Sequence, residues 1–338
     1  MIDHTANTLE LAPQWLAHRY SHGHDAFQFI DVPRALRRKV PFLTDAELRI
    51  DAPLLLKRSD VMSVAPVPAP LHFIFHSAFC CSTLLANAFD LPGVAHALKE
   101  PVVLNDLIGW RHARGGNARF GVVLRDALTL LARPFDDGET VVVKPSNLIN
   151  ELAGEILDGT PGVRAIFIEA PLPEFLASIA SKGLEGRLWV RDLLAKQMKG
   201  GLVRFGFSPD DLFRQTDLQI AALGWLVQHQ LFAALSGRFP GRIRWLTSPE
   251  LLADPDCAVR RAASHFGVEL ADGVRTKLVA DVFARNAKDG TAFGAANRSA
   301  AQRDAATLHA DELDKVLHWA NVVADHAAID MSAVTPLM

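Results

Sequence analysis

The sequence predicts an α/β fold, a parallel sheet flanked by helices with a P-loop NTPase-like architecture. From residue 71 onward, short apolar segments rich in Val, Ile and Phe alternate with longer amphipathic stretches. The short segments are continuously apolar, which is typical of strands buried on both faces. Strands that alternate with helices along the chain favour a parallel sheet. Ligands of such sheets bind beyond the carboxyl ends of the strands.

The elements follow in order. "LHFIF" (71–75) is a short buried strand, and "STLLANAF" (82–89) begins a helix with apolar residues on one side. "ETVVVKP" (139–145) is a β-branched strand that ends in a lysine. The remaining strands are expected at 163–170 and 242–248, and the remaining helices at 148–157, 173–182, 186–199, 217–239 and 254–268, the last closed by Gly267.

Proline marks the best domain boundary. "VAPVPAPL" (64–71) resists helix formation. "TDAE" (44–47) fits an N-terminal capping box, with the N-cap at Thr44 and Glu47 three residues later. We therefore expect residues 1–66 to be an N-terminal helical region and residues 67–338 to form the P-loop-like α/β domain.

Composition excludes several classes of function. The chain has 338 residues, is 49% apolar and carries a net charge of −3, so nothing attracts it generally to nucleic acid or membranes. Three cysteines, two of them adjacent, make no disulfide framework. With no leader pattern at the N-terminus and no apolar run of about 18 residues, we expect a cytoplasmic protein without nucleic-acid or membrane partners. The oligomeric state is left open.

The stretch "FIFHSAFCCSTLLANAF" (73–89) has the outline of a phosphate-binding loop: strand, tight turn of small residues, helix. It aligns only loosely with the Walker A pattern, and Ser82 stands at the lysine position. Transfer from ATP or GTP would thereby lose its main charge stabiliser. The hydroxyls of Ser82 and Thr83 could still reach phosphate oxygens. The alternative is a buried turn in which they only cap the helix.

Four further segments stand in an order that resembles the sulfotransferase family, from about residue 70 to 338. "SAFCCSTLL" is similar to the family's 5′-phosphosulfate loop, and "VVVKPSNL" to its KxP strand end. "GVRAIFIEAPLPEFLASI" resembles its 3′-phosphate segment. "RIRWLTSPELLADPDCAVRRAASHFGV" resembles the segment near its C-terminal end, and "AKDGTAFGAANR" stands at its basic nucleotide-closing loop.

The resemblance implies a co-substrate, 3′-phosphoadenosine 5′-phosphosulfate, and no metal. It implies that a sulfuryl group passes to a hydroxyl or amine of a small-molecule or peptide acceptor. Lys144 would face the transferred group. The implied co-substrate-binding residues are Ser77, Phe79, Cys80, Cys81, Ser82 and Thr83 at the 5′ end, Ser178 at the 3′-phosphate, and Arg187, Lys288 and Arg298 as cations.

The residues themselves suggest further catalytic groups. Lys99 and Glu100 follow a short strand, where Glu100 could act as general base, although a solvated turn is the alternative. Lys144 ends an apolar strand, where an exposed lysine is unexpected. His76 is a turn histidine, a phosphate donor or a base. "HRYSHGHD" (18–25) suggests a metal site only weakly, because no second ligand pair follows at a defined spacing.

Two positions depart from the family pattern. Phe79 stands where the family often has lysine or arginine, and Glu169 stands where it has the arginine of "RDP". An acid beside a phosphate would repel it. Replacement cations are expected from Lys182, Arg187, Arg191, Lys288 or Arg298. The alternatives are a catalytically silent or regulatory anion-binding protein and, less favoured, an ATP-dependent kinase. The acceptor pocket is expected from residues 186–235 and 1–66.

Overall fold

The computed structural model describes residues 12–114, 118–284 and 295–332. The strands are β1 (Trp15–Ser21), β2 (Ala26–Asp31), β3 (Leu54–Lys57), β4 (Leu71–His76), β5 (Ala95–Lys99), β6 (Thr140–Lys144), β7 (Ala165–Glu169) and β8 (Ile243–Thr247). The helices are α1 (Arg34–Lys39), α2 (Arg58–Ser63), α3 (Ser82–Asn87), α4 (Val102–Arg114), α5 (Ala118–Leu131), α6 (Ala153–Gly159), α7 (Leu172–Ser181), α8 (Gly183–Lys199), α9 (Pro209–Arg214), α10 (Asp217–Arg238), α11 (Ser248–Ala253), α12 (Pro255–Phe266), α13 (Asp272–Phe283), α14 (Ala295–Leu308) and α15 (Ala310–His326).

The predicted parallel sheet is confirmed. Five strands pair in the order β5-β6-β4-β7-β8, every pair parallel. Strands β6 and β7 follow each other along the chain but lie on opposite sides of β4. The carboxyl end of β4, at His76, therefore lies where the chain changes sides, which is the usual ligand position in such sheets.

Both faces of this sheet are buried, as the continuous apolar strands predict. Phe73, Phe75 and Phe167 point into one core, which also holds the buried side of α5. Ile74 and Ile168 point into the other, against α3, α7, α10 and α12. Each strand thus supplies alternate residues to two layers.

The N-terminal region differs from the prediction. Its described part holds a three-stranded antiparallel sheet, β1-β2-β3, with two short helices. Thr44 starts a turn instead of a helix, and the Glu47 amide donates to the Thr44 carbonyl at 3.0 Å. Phe27 and Phe29 lie in the same apolar core as Phe73, so tertiary burial outweighs the local helix signal. The boundary after residue 66 stays a prediction.

The helix after β6 also starts differently. A 3-10 turn, Asn147–Leu152, precedes α6 where a single helix was expected. The side chain of Asn150 donates to the carbonyl of His76 and to Gln228 Oε1, both at 2.9 Å. These bonds attach the turn to the end of β4, and short 3-10 segments of this kind are common at helix N-termini.

One helix among the described residues, α10, is long and apolar enough to cross a membrane by length and composition. In its most apolar stretch, 72% of the residues are buried inside the protein. It packs against α8 and lies in the apolar layer beside β7. That burial is typical of a core helix.

Candidate functional site

The turn after β4 has an unusual backbone. Ala78, Phe79 and Cys81 have positive φ angles of 78°, 52° and 64°. Residues other than glycine rarely adopt this region, and each such residue costs about 1–3 kcal/mol. Left-handed residues in a turn of this kind can direct backbone N–H groups toward one concavity, which is a common anion-binding arrangement. The turn adopts this backbone without glycine, and its expected role as a phosphate-binding loop stays a prediction.

Hydrogen bonds from three directions hold this turn. His76 Nε2 donates to the Pro145 carbonyl at 3.0 Å, while its Nδ1 accepts from the Ala78 amide at 3.1 Å. The Ser77 amide donates to the Ile168 carbonyl at 3.1 Å, and its hydroxyl accepts from the Ala170 amide. Because both His76 nitrogens serve the turn, the geometry gives His76 a positioning role. Its expected role as a phosphate donor or base stays a prediction.

The turn's side chains divide into anchors and hydroxyls. Phe79 packs edge-on against Phe175 and Trp189, with ring centroids 6.0 and 5.5 Å away. Cys80 is buried in the core. Ser82 and Thr83 open α3, and neither hydroxyl caps the helix. The position where the resemblance expects a cation is thus an aromatic anchor.

Lys144 and Glu100 form a buried ion pair at the carboxyl ends of β5 and β6. Lys144 Nζ donates to Glu100 Oε1, and the side chains are 2% and 20% exposed. Nζ also lies 5.1 Å from the centre of the Phe42 ring. Glu100 has a φ of 54°, and its amide donates to the Lys144 carbonyl at 2.6 Å. The two residues proposed for catalysis therefore contact each other.

Lys99 lies beside this pair, because it is the register partner of Lys144 in the sheet. Its Nζ donates to the Arg38 carbonyl at 3.2 Å and is otherwise enclosed. Burial, helped by the nearby charges of Arg38 and Lys144 and opposed by that of Asp90, lowers the pKa of Lys99 to about 8. Lys99 is thus a buried lysine with a lowered pKa, and its expected catalytic role stays a prediction.

Glu169 does not face the solvent as an uncompensated acid. Both of its carboxylate oxygens lie 3.2 Å from His229 Nδ1, and His229 Nε2 lies 3.0 Å from the Asp330 carbonyl. Each imidazole nitrogen faces an acceptor. Burial lowers the pKa of His229, but the hydrogen bond and charge of Glu169, together with the contacts to Asp330, outweigh burial, so the pKa is raised. The imidazolium compensates the charge that was expected to repel a phosphate.

The residues expected near a 3′-phosphate are occupied by protein partners. Ser178 donates to the Glu174 carbonyl at 2.7 Å and accepts from Gln302. Arg187 forms a two-pronged pair with Glu312 at 2.9 and 3.1 Å. Arg191 pairs with Asp217. Lys288 and the side chain of Arg298 lie outside the described residues, so their expected roles stay predictions.

A solvent-open cleft with a volume of about 150 Å³ lies beside these groups. Glu100 and Ser146 line one wall, and Trp189, Asp192 and Lys196 of α8 line the other. Trp189 also contacts Phe79 of the turn, so one side chain connects the wall of the cleft to the strand–helix turn. Its α8 wall lies within the 186–235 region from which the acceptor pocket was expected.

Several site residues were not singled out from the sequence. His229, Trp189 and Asp192 lie on long helices, where nothing distinguishes them from core or surface positions. A buried histidine within an apolar helix was the one available signal, because His229 needs a partner there. Within the described ranges, no group of three or more His, Cys, Asp or Glu could hold a metal ion.

The Glu169–His229 pair predicts a pH-dependent stability. Replacing His229 with Gln leaves Glu169 buried without its cation, and we expect a loss of about 3–5 kcal/mol. Because the folded pKa is raised, the contribution is complete below the unfolded value of about 6.5 and is lost as pH rises through the folded pKa. Denaturant unfolding of the wild type and of His229→Gln between pH 5.5 and 9 measures the difference in their free energies of unfolding, which should narrow as pH rises.

His265 provides a control of opposite sign. Burial lowers its pKa to about 4, so His265→Gln should gain stability relative to the wild type as pH falls from about 6.5 to 4. A difference in the free energy of unfolding between the wild type and His229→Gln that stays constant with pH would contradict the ion pair.

Lys99 is a buried cation with a lowered pKa, so its effect on the pH dependence of stability is opposite in sign to that of His229. A pKa lowered to about 8 from 10.5 means that the folded state binds fewer protons than the unfolded state between these values, so stability rises with pH there. Lys99→Met should therefore stabilise the protein by about 3 kcal/mol at pH 7. The gain should shrink by pH 10, as measured by denaturant unfolding. Lys144→Met, which leaves Glu100 without its partner, should destabilise instead.

Comparison with solved structures finds bacterial sulfotransferases. The sulfotransferase domain of the Synechococcus PCC 7002 olefin synthase is 14% identical, with a TM-score of 0.38, covering 68% of this chain and 83% of that one. A sulfotransferase from Alicyclobacillus acidocaldarius is 16% identical, with a TM-score of 0.36, covering 64% and 94%. One from Mycobacterium avium is 12% identical, with a TM-score of 0.42, covering 76% and 80%.

No protein-family model matches the chain, and no curated protein matches it either. At these identities and TM-scores, the likeness to the solved structures carries no weight for activity. The chain is similar in structure to bacterial sulfotransferase domains, and the activity has to be argued from the site.

Proposed function

We propose that the protein is a sulfotransferase-like enzyme. It transfers a sulfuryl group from 3′-phosphoadenosine 5′-phosphosulfate to a hydroxyl or amine of a small-molecule or peptide acceptor. The observation that carries the proposal is the continuity of the site. One open cleft joins Glu100, a candidate base, to Trp189, which contacts the anion-loop residue Phe79.

The turn would bind the 5′-phosphosulfate end. The Ser77 and Ala78 amides bond within the protein, so the proposed donors are the remaining backbone N–H groups of the turn and the Ser82 and Thr83 hydroxyls, which need no charged side chain. Ser77, Phe79 and Cys80 would contribute backbone and packing, with Cys81 at the last left-handed position. Preorganised donors of this kind stabilise the charge that develops on the transferring group.

Lys144 and Glu100 would carry the chemistry. The acceptor oxygen attacks sulfur while its proton passes to Glu100, and the sulfur–oxygen bond to the phosphate breaks with its electron pair leaving on the bisphosphate. Lys144 would stabilise that departing charge. Ser178, Arg187, Lys288 and Arg298 are the proposed contacts of the 3′-phosphate end. For Arg187, this requires exchange with Glu312.

A second candidate is a silent or regulatory anion-binding protein on the same fold. The observation that favours it is the pairing of candidate cations with acids. Lys144 contacts Glu100, and Arg187 contacts Glu312. Such a protein would bind the nucleotide without turning it over.

Ligand-induced thermal stabilisation separates these possibilities. Adenosine 3′,5′-bisphosphate should raise the melting temperature, since a ligand that binds only the folded state stabilises it. ATP with Mg²⁺ should have no comparable effect. Stabilisation by ATP alone would contradict the sulfotransferase proposal. Binding of the bisphosphate without turnover, across an acceptor library assayed with the sulfuryl donor, would favour the silent protein.

Glu100→Gln tests the proposed base. The variant keeps the size of the side chain but cannot take the acceptor proton, so kcat should fall by about 10²–10⁴-fold. The melting shift given by the bisphosphate should remain. Sulfuryl transfer at saturating donor and acceptor gives kcat. Glu185→Gln, an exposed substitution at the start of α8, is the matched control and should retain full activity.

An unchanged kcat in Glu100→Gln would reject the base role while leaving donor binding intact. Lys144→Met completes the pair. It should lose turnover but keep the bisphosphate shift if Lys144 acts on the departing charge.

A further inference from the structure

A second, smaller recess adjoins the cleft. It lies between the 3-10 turn after β6, α8 and α10, and shares Asn147, Leu148 and Lys196 with the cleft. Its space holds about one water-sized group. The polar side chains that line it belong to Asn147, Asn150, Glu151, Gln197, Gln228 and His112.

Polar atoms without hydrogen-bond partners collect at this recess. Asn150 Oδ1, Gln197 Oε1, Glu151 Oε1 and Asn147 Nδ2 are buried and make no hydrogen bond, although Glu151 Oε1 lies 3.5 Å from Arg111 Nε. Asn150 and Gln197 are 1% and 5% exposed. Buried polar groups are nearly always satisfied in native proteins. Four unsatisfied atoms in the lining of one small recess therefore indicate a missing partner.

The orientation of these amides is fixed by their other ends. Asn150 Nδ2 donates to the His76 carbonyl and to Gln228 Oε1, and Gln197 Nε2 donates to the Gly224 carbonyl at 3.2 Å. A flipped amide would lose these bonds. Oxygen, and not nitrogen, is therefore the unpartnered end in both side chains.

The lining selects a group that brings hydrogens and positive charge. Glu151 Oε2 is bound by His112 at 2.8 Å, while Oε1 has only Arg111 Nε at 3.5 Å. The charge of Lys196 is taken by Asp192. Three oxygens, one of them a carboxylate oxygen, match the three N–H donors of a primary ammonium. A water molecule has two hydrogens for the three, and an anion would be repelled.

We infer that the recess binds the primary ammonium group of an amino-alcohol acceptor whose hydroxyl faces Glu100 in the cleft. Asn147 stands at the junction and lines both spaces, so its free Nδ2 donates to an oxygen of the same acceptor. The assignment of the hydroxyl as nucleophile rests on the proposed function. The ammonium site itself does not, because binding needs no sulfuryl donor.

The test compares matched ligands in calorimetric titrations of the full-length protein. The probes are glucosamine, trans-2-aminocyclohexanol and 3-amino-1-propanol, each beside its N-acetyl form, which lacks the charge and two of the donors. At least one amine should bind at least tenfold more tightly than its N-acetyl form. The absence of an amine preference in all three pairs would overturn the inference.

Two variants test whether the preference for amines arises at the recess. Gln197→Met removes one oxygen at nearly constant volume and should reduce the amine preference at least fivefold. Glu151→Gln keeps the shape, removes the charge, and should do the same if Gln197→Met does not fold. Gln215→Met is the control, because the Gln215 amide bonds to the Asp211 carbonyl away from the recess. A preference that survives both recess variants would place the ammonium elsewhere.

A crystal structure with the preferred amine gives a direct reading. An ammonium nitrogen within hydrogen-bond distance of Asn150 Oδ1 and Gln197 Oε1 supports the inference, and a buried water alone there overturns it. The outcomes of this test can be distinguished from those of the tests of the proposed function. Amine binding without turnover retains the site and rejects the enzyme. Sulfuryl transfer to neutral alcohols, with no preference for amines in binding, would support the enzyme and reject the ammonium site.

Discussion

The constraint on which the site depends is the left-handed backbone between β4 and α3. Three residues with side chains hold positive φ angles there, at a cost of about 1–3 kcal/mol each. The surrounding structure must offset this cost. Bonds from β7 to Ser77, from His76 to the Pro145 carbonyl, and from the Asn150 and Gln228 amides to the His76 and Ser77 carbonyls do so. The sheet and three neighbouring elements therefore keep one turn in an uncommon shape.

Two side chains that contact the turn also connect it to the recess and the cleft. Asn150 bonds to the carbonyl of His76 with its nitrogen and faces the recess with its oxygen. Trp189 contacts the turn through Phe79 and lines the cleft. A change in either side chain would thus act on both the left-handed turn and the proposed acceptor space. Packed, hydrogen-bonded contacts of this kind hold reacting groups in a fixed geometry.

The sequence predicted the strands of the parallel sheet well, but it did not predict contacts between residues far apart along the chain. Continuous apolar segments located β4, β6, β7 and β8 because burial on both faces leaves a plain local signal. The N-terminal hairpin was missed because its strands are specified by long-range burial of Phe27 and Phe29. Glu169 was expected to repel a phosphate because its partner, His229, lies 60 residues away. Pairing across such a separation leaves no trace in local spacing.

The pairing of Lys144 with Glu100 bears on how a charge-poor loop could serve sulfuryl transfer. While Glu100 is ionised, its attraction holds the lysine charge at the acceptor side of the site. In the proposed reaction, that attraction would disappear when Glu100 takes the acceptor proton, as negative charge grows on the departing phosphate. The lysine charge would then become available where it lowers the barrier. With Phe79 in place of a cation, the loop itself lacks this charge, so the proposed mechanism takes it from the strand end at Lys144.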